Sequence, residues 1–96
     1  MTFDEWLSST HELQAIDFGT DPQSLHGNEF AEYIRWNVLA AQVELAEFIQ
    51  ETRWKPWQKN NGRPTHTARE RAVEELVDVQ HFLANLYVAL GVTGTE

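Results

Sequence analysis

Two segments of the sequence each carry a pair of acidic residues three positions apart. Glu44 and Glu47 form the first pair, and Glu75 and Asp78 form the second. Because residues three apart share one face of a helix, two packed helices would bring all four carboxylates to one point. Hard divalent cations such as Mg²⁺ and Mn²⁺ prefer carboxylate oxygens as ligands. The spacing therefore predicts a magnesium site, with Mn²⁺ as a substitute, if the two helices face each other.

Such a site supports a specific chemistry. Magnesium held by carboxylates keeps some of its waters and takes substrate phosphates as further ligands, and a nucleoside triphosphate supplies those phosphates. A bound metal can polarise a phosphoryl oxygen and activate a water for in-line attack. We therefore take the four acidic residues as candidate catalytic residues and metal ligands, with one glutamate also able to orient the attacking water. A single pair of this kind is more often a solvated helix face, so the prediction depends on having two.

The elements that must position these residues are three main helices, indicated by apolar residues at helical spacing. They are predicted to run from about Phe3 to Asp17, from about Glu29 to Thr52 or Arg53, and from about Ala68 to Leu90. Their predicted N-caps are Thr2, Asn28 and Thr67. A loop is expected over 19–27, and Gly91 is the predicted end of the third helix.

Apolar stripes mark the faces on which the second and third helices should pack. The stripes comprise Ile34, Val38, Ala41, Leu45 and Phe48 in the second helix, and Ala72, Leu76, Val79, Leu83, Leu86 and Leu90 in the third. Both acidic pairs lie beside their stripe on the same flank, which suits the mouth of a cleft between helices. His81 points away from that flank and is assigned to the core or an interface.

The predicted connection between these helices, residues 53–67, is a basic island that contains no acidic residue. Pro56, the Asn60–Gly62 turn and Pro64 make a continuous helix there unfavourable. Its candidate phosphate-binding residues are Lys55 and Lys59. The loop also holds Trp54 and Trp57, which either close the end of the bundle or stack on a nucleobase.

Length and composition narrow the class of protein. The 96 residues predict a single domain over 1–96, with an all-α bundle that is completed by oligomerisation, because four Trp, five Phe and two Tyr are a large apolar content for its size. The net charge of −8 argues against nucleic-acid binding. The absence of Cys excludes disulfides and thiolate chemistry. With no visible signal peptide or membrane span, we expect a soluble, cytoplasmic protein.

The motifs together resemble the all-α nucleoside triphosphate pyrophosphohydrolases, which include the MazG-like enzymes and the dimeric all-α dUTPases. The resemblance covers about residues 30–90 and runs through three segments. These are Glu44-Leu-Ala-Glu47, Thr52-Arg-Trp-Lys-Pro-Trp57 and Glu75-Leu-Val-Asp-Val-Gln-His-Phe82. The Trp-Lys-x-Trp element and the His-Phe pair are most similar to the dUTPase branch.

The resemblance implies hydrolysis between the α and β phosphates of a nucleoside triphosphate by a homodimer or homotetramer. It implies that the four acidic residues bind Mg²⁺, that Lys55 lies near the phosphates and that Asn85 contacts the sugar. Gln14 matches a glutamine that reads uracil, whereas Asp17 stands where the family has an asparagine. The reaction class is therefore better specified than the base, although dUTP is the leading substrate.

Two other functions stay open at this point. One is a MazG-like pyrophosphohydrolase that acts on another or a modified nucleotide. The other is a non-catalytic helical dimerisation module that keeps the scaffold and its acidic face. The complete set of four acidic residues beside a basic loop favours an enzyme, because a scaffold has no need of all four.

Overall fold

The computed structural model describes residues 2–17, 19 and 21–92, with the side chains of 16 and 17 excepted. Three α-helices form the fold: α1 (Phe3–Glu12), α2 (Gly27–Gln50) and α3 (His66–Ala89). A π-helical turn (Leu13–Asp17) extends α1, and short 3-10 turns occupy Pro22–Ser24 and Lys59–Asn61. The predicted all-α bundle of three main helices is confirmed. In the described part of the chain, no helix is both long and apolar enough to cross a bilayer.

Two of the three predicted N-caps are wrong. Thr2 does cap α1, accepting a hydrogen bond from the Glu5 backbone N–H at 3.0 Å. The cap of α3 is Thr65, whose side chain accepts from Ala68 N–H, so Thr67 lies inside the first turn. Similarly, α2 begins before Asn28, with His26 at its N-cap position and no side-chain cap. A capping residue needs extended backbone, which Thr65 and His26 have.

The helices α2 and α3 form an antiparallel hairpin that carries the site. At one end of the hairpin, Arg71 Nε donates to Glu51 Oε2 at 3.1 Å. At the other end, Asn85 Nδ2 donates to Asn37 Oδ1 at 2.8 Å. Buried alanines lie on both helices. They are Ala41, Ala68, Ala72, Ala84 and Ala89.

The apolar core of the described residues lies where α1 packs on α3. Leu7 packs against Ala84 and Val88, and the partly buried Trp6 and Val92 flank them. The α3 helix ends as predicted, because Gly91 takes a φ of +75° that lets the chain leave the helix.

The predicted stripes of α2 and α3 are only partly buried within one chain. Ala41, Ala72 and Val79 are buried, but several large members of the stripes are exposed. Those exposed members are Val38, Leu45, Leu76, Leu83 and Leu90. The core of the single chain is therefore smaller than the periodicity of the sequence indicates.

Candidate metal centre and adjoining cavity

The hairpin brings acidic side chains from both helices to one place. One carboxylate oxygen each from Glu44, Glu75 and Asp78 lies within 4.8 Å of the others. Glu44 and Glu75 are half-buried between α2 and α3, whereas Asp78 is exposed. Three carboxylates at this separation repel one another unless a proton or a cation lies among them.

Glu47, the fourth predicted ligand, belongs to the same electrostatic cluster although its side chain is exposed. Its pKa is raised above the usual value, first by a hydrogen bond with Glu75 and by the charge of Glu75. Desolvation and the charge of Asp78 raise it further, and a hydrogen bond with Glu44 opposes the shift. Three of the four predicted residues are therefore grouped by geometry, and the electrostatic effect on Glu47 links it to the same group.

The pKa of Glu75 is also raised, first by a hydrogen bond with Glu44 and then by desolvation. The charges of Glu44 and Asp78 add to the shift, and a hydrogen bond with Glu47 opposes it. In addition, Glu44 Oε2 is buried without a hydrogen-bond partner among the described residues. Such an atom is costly in a folded protein and calls for an explanation such as a bound ion. The donor set fits a divalent cation that prefers oxygen ligands.

The position of these residues differs in one respect from the flank predicted from the stripes. Glu44 and Glu75 lie on the contact faces of α2 and α3, because each is half-buried and follows a buried alanine, Ala41 or Ala72, by three residues. Glu51, one turn beyond Glu47, is separated from the cluster by its ion pair with Arg71. This ion pair explains why Glu51, a fifth acidic residue on the same side of α2, does not join the four predicted ligands.

A cavity of about 230 Å³ adjoins the cluster. It lies between the end of α1 and the second half of α3, and Asp78 belongs to both the cluster and the cavity wall. The residues that line it are Thr10, Leu13, Gln14, Asp78, His81, Phe82 and Asn85. The structure thus brings Gln14 and Asn85, two predicted substrate-binding residues, next to a predicted metal ligand.

Hydrogen bonds hold both of these amide side chains. Tyr33 Oη donates to Gln14 Oε1 at 3.1 Å, which links α2 to the segment after α1. Burial raises the pKa of Tyr33 to about 12, despite a hydrogen bond with Asn37 that acts in the opposite direction. Tyr33 therefore stays neutral and able to donate at physiological pH. The side chain of Asp17 lies outside the described residues, so its predicted role in reading the base is untested.

The connection between α2 and α3 does not reach the cavity wall. Among the described residues, none of the four predicted here for substrate binding lines the cavity: Trp54, Lys55, Trp57 and Lys59. The Lys55 ammonium lies 5.5 Å from the centre of the Trp57 ring, and Trp57 is 77% exposed. Trp54 is also exposed, so neither indole closes the end of the bundle within one chain.

Sequence reasoning missed several cavity residues. The assignment of His81 to the core is wrong, because its side chain is exposed and lines the cavity beside Asp78. Its assignment to an interface stays a prediction. Phe82 follows Asp78 by one helical turn on the same flank, and this spacing is sufficient to predict that it lies beside the metal ligand. Thr10 and Leu13 come from the first helical segment, whose packing against α3 no periodicity in the sequence specifies.

Comparison with known proteins agrees with this arrangement. The sequence pattern of the dUTPase family matches residues 3–96, which is nearly the whole chain. Neither the curated proteins nor the solved structures contain a significant match. With three α-helices, a carboxylate cluster between two of them and a match that spans the described fold, the chain belongs to the dUTPase family, a family of nucleotide hydrolases.

Proposed function

We propose that the protein is a Mg²⁺-dependent nucleoside triphosphate pyrophosphohydrolase that converts dUTP to dUMP and pyrophosphate in the cytoplasm. One observation carries the proposal. The carboxylate cluster of Glu44, Glu75 and Asp78 adjoins a cavity that contains Gln14 and Asn85. A cation-binding end and a polar-lined cavity, which share Asp78, suit the two ends of a nucleotide.

The metal would be held by the four acidic residues: Glu44, Glu47, Glu75 and Asp78. The unpaired buried oxygen of Glu44 and the raised pKa values of Glu47 and Glu75 support this assignment. A bound Mg²⁺, or Mn²⁺ in its place, supplies charge stabilisation on the phosphoryl oxygens and lowers the pKa of a bound water.

The protein's own residues have separate tasks in the proposed reaction. The oxygen of a water forms a bond to phosphorus, the bond to the bridging α–β oxygen breaks, and pyrophosphate leaves with the electron pair. Glu47, exposed at the edge of the cluster, is the carboxylate best able to orient that water and accept its proton. Lys55 and Lys59 would offset negative charge on the phosphates.

The volume of the cavity suits one part of a nucleotide and not the whole molecule. About 230 Å³ is below the roughly 300–1,000 Å³ of pockets that enclose a whole drug-sized ligand, so it suits the base or sugar portion and leaves the phosphates at the carboxylates. Gln14 and Asn85 provide polar groups, while Leu13 and Phe82 provide apolar walls. Trp54 and Trp57 are proposed to contact the nucleotide from outside this cavity.

We propose further that the active protein is a homodimer or homotetramer. Large apolar side chains are exposed along α2 and α3, and Trp36 is 74% exposed. Contiguous apolar surface of this kind is typical of protein–protein interfaces. A second copy of the chain would bury the exposed parts of the predicted stripes.

A substrate panel tests the proposed function. The purified protein is incubated with Mg²⁺ and each common dNTP and NTP, including dUTP, and the products are separated by ion-exchange chromatography. We expect dUMP and pyrophosphate from dUTP. The same cleavage of another nucleotide would retain the mechanism and change the substrate, whereas no turnover with Mg²⁺ or Mn²⁺ would favour the non-catalytic module.

Matched variants test whether the carboxylate cluster is required for the cleavage that the substrate panel measures. Asp78→Asn is expected to lower kcat/KM for dUTP by at least about 100-fold, because metal-assisted charge stabilisation contributes several kcal/mol and each 1.36 kcal/mol is tenfold in rate. Glu74→Gln changes an exposed acidic residue on the same helix and should retain activity. Equal activity of the two variants would remove Asp78 from the site.

A further inference from the structure

A pair of buried asparagines connects α2 to the cavity. Asn85 Nδ2 donates to Asn37 Oδ1 at 2.8 Å, and Asn37 Nδ2 donates to the backbone carbonyl of Tyr33 at 2.9 Å. Asn37 is 7% exposed and Asn85 is 9% exposed. Burial of two amide side chains is unfavourable unless their polar groups are paired, so this pair needs a reason beyond filling space between helices.

The partners of Asn37 determine which way both amides face. A backbone carbonyl can only accept a hydrogen bond, so Asn37 must direct its NH₂ group toward Tyr33 and its oxygen toward Asn85. That oxygen also only accepts, so Asn85 must direct its NH₂ group toward Asn37. The carbonyl oxygen Oδ1 of Asn85 therefore faces away from Asn37, and the order of hydrogen bonds fixes this orientation.

The carbonyl oxygen of Asn85 is available on the cavity side of this pair. Asn85 lines the cavity together with Asp78 and Gln14, and its Oδ1 has no hydrogen-bond partner among the described residues. Asn85 follows Asp78 by seven residues on one helix, or about 10 Å at ~1.5 Å per residue. A ligand whose phosphates lie at the carboxylates would therefore meet Asn85 with its nucleoside part.

We propose that Asn37 is a positioning residue, which holds the carbonyl oxygen of Asn85 toward the cavity to accept a hydrogen bond from the bound nucleoside. This inference rests on the proposed function for the identity of the ligand. The donor in the ligand is either a sugar hydroxyl or the N–H of the base. A reversed amide would present NH₂ to the same group and would lose that hydrogen bond.

Binding measurements without turnover test the proposal. The probes are dUTP with an imido group in place of the α–β bridging oxygen, its 3′-deoxy form and its N3-methylated form, each titrated calorimetrically with Mg²⁺. We expect one of the two donor-lacking probes to bind the wild-type protein about 10-fold more weakly or worse, since a buried acceptor is then left unpaired. The probe that loses affinity identifies the sugar or the base as the donor.

Two substitutions at Asn37 then separate positioning from packing. Asn37→Leu removes the hydrogen bond that orients Asn85. The Kd of the discriminated probe, divided by the Kd of the analogue that keeps both donors, should therefore fall nearly to one. Asn37→Asp keeps an acceptor oxygen toward Asn85 and should retain most of the discrimination, even if the protein is less stable. Asn28→Leu, at an exposed position of the same helix, is the matched control.

The outcomes are distinguishable. A purely structural role would weaken all three probes equally in Asn37→Leu, and that result would overturn the proposal, as would the absence of discrimination or of binding in the wild-type protein. If Asn37→Leu does not fold, Asn37→Ser is too short to reach Asn85 and should lose the discrimination in its place. Binding with the expected discrimination but no hydrolysis of dUTP would refute the proposed reaction and leave the role of Asn37 standing.

Discussion

At the scale of single residues, the acidic cluster is an arrangement that folding alone does not favour. Carboxylates from Glu44, Glu75 and Asp78 lie close enough to repel one another, and Glu44 keeps a buried oxygen without a partner among the described residues. Sites that bind charged ligands often carry such a cost in stability. The raised pKa values of Glu47 and Glu75 express the same cost.

The repulsion among these carboxylates predicts how Glu75→Gln changes the stability of the protein. Because the folded state raises the pKa of Glu75, the stability associated with its neutral form is present below the usual value of 4.5 and is lost as pH rises through the raised value. A glutamine avoids that loss. We expect the Tm of Glu75→Gln, measured without divalent cations, to exceed that of the wild-type protein by a few degrees at pH 7.

The same variant should lose this advantage near pH 4, where the wild-type carboxyl is protonated. Thermal unfolding followed by circular dichroism at both pH values gives the comparison. Glu74→Gln, at the exposed neighbouring position, should follow the wild-type protein. A lower Tm for Glu75→Gln at pH 7 would mean that the carboxylates support the fold through their hydrogen bonds.

At the scale of elements, the site depends on where α2 and α3 begin and on how they pair. The N-cap of α3 is Thr65, directly after Pro64, and not Thr67. Thr67 is followed three residues later by Glu70, which is why the sequence favoured it as the cap. Thr65 has the extended backbone that a cap requires (φ −64°, ψ 166°).

The two threonines provide a matched pair for a stability prediction. Thr65→Ala removes the hydrogen bond to Ala68 N–H and should lower the free energy of unfolding by about 1 kcal/mol. That change corresponds to a fall in Tm of roughly 4–8 °C for a domain of this size. Thr67→Ala should change Tm little.

Chemical and thermal unfolding of both variants measure the difference directly. The proposed hydrolysis of dUTP should be nearly unchanged in Thr65→Ala at low temperature, since the cap lies ten residues, or almost three turns, before Glu75. A larger loss of stability in Thr67→Ala than in Thr65→Ala would place the start of α3 where the sequence alone suggested.

The helices themselves were predictable, because apolar spacing and the terminating Gly91 each have a local cause. The pairing of Glu44 with Glu75 could be anticipated from the equal relation of the two acidic pairs to their stripes. The N-cap of α2 could not be predicted, because the positive φ of Gly27 lets the helix start one residue before Asn28. The amide contact between Asn37 and Asn85 spans 48 positions, and no local pattern encodes it.

Burial was the least predictable property at this scale. A helical stripe shows that a face is apolar, but it does not show whether that face packs within the chain or against another copy. Ala41 and Ala72 are buried, whereas Leu45 and Leu76, four residues further along the same stripes, are exposed. The assignment of His81 to the core failed for the same reason, because its position relative to the stripe did not describe its exposure in the folded chain.

At the scale of the whole molecule, the chain is extended. Its radius of gyration is 16.1 Å, against about 12.5 Å for a compact domain of 96 residues. The α2 helix exposes Trp36, Leu39 and Val43 at spacings of three and four residues, which forms one continuous apolar stripe. An extended shape with uncovered apolar faces supports the proposed homo-oligomer.

A charge within this stripe tests the proposed assembly. Leu39→Glu would bury an unpaired carboxylate between subunits, which costs several kcal/mol and should weaken association by at least about 100-fold. Thr67→Glu adds the same charge at an exposed position of α3, away from this stripe, and is the control.

Sedimentation velocity over a range of protein concentrations reports the result. We expect the wild-type protein and Thr67→Glu to sediment as dimers or tetramers and Leu39→Glu to shift toward monomer. A monomeric wild-type protein would contradict the proposed assembly, and unchanged association of Leu39→Glu would show that this stripe lies outside the interface.

The most direct test of the central claim, that the acidic cluster holds a divalent cation, is Mn²⁺ binding measured by electron paramagnetic resonance. Wild-type protein and Glu74→Gln should reduce the signal of free Mn²⁺ to the same extent, and added Mg²⁺ should restore it by competition. Glu75→Gln should weaken Mn²⁺ binding by at least about 10-fold, since even residues that only support a ligand contribute 10–100-fold to metal affinity. Equal Mn²⁺ binding by all three proteins would contradict the account, because the metal would then bind outside the cluster.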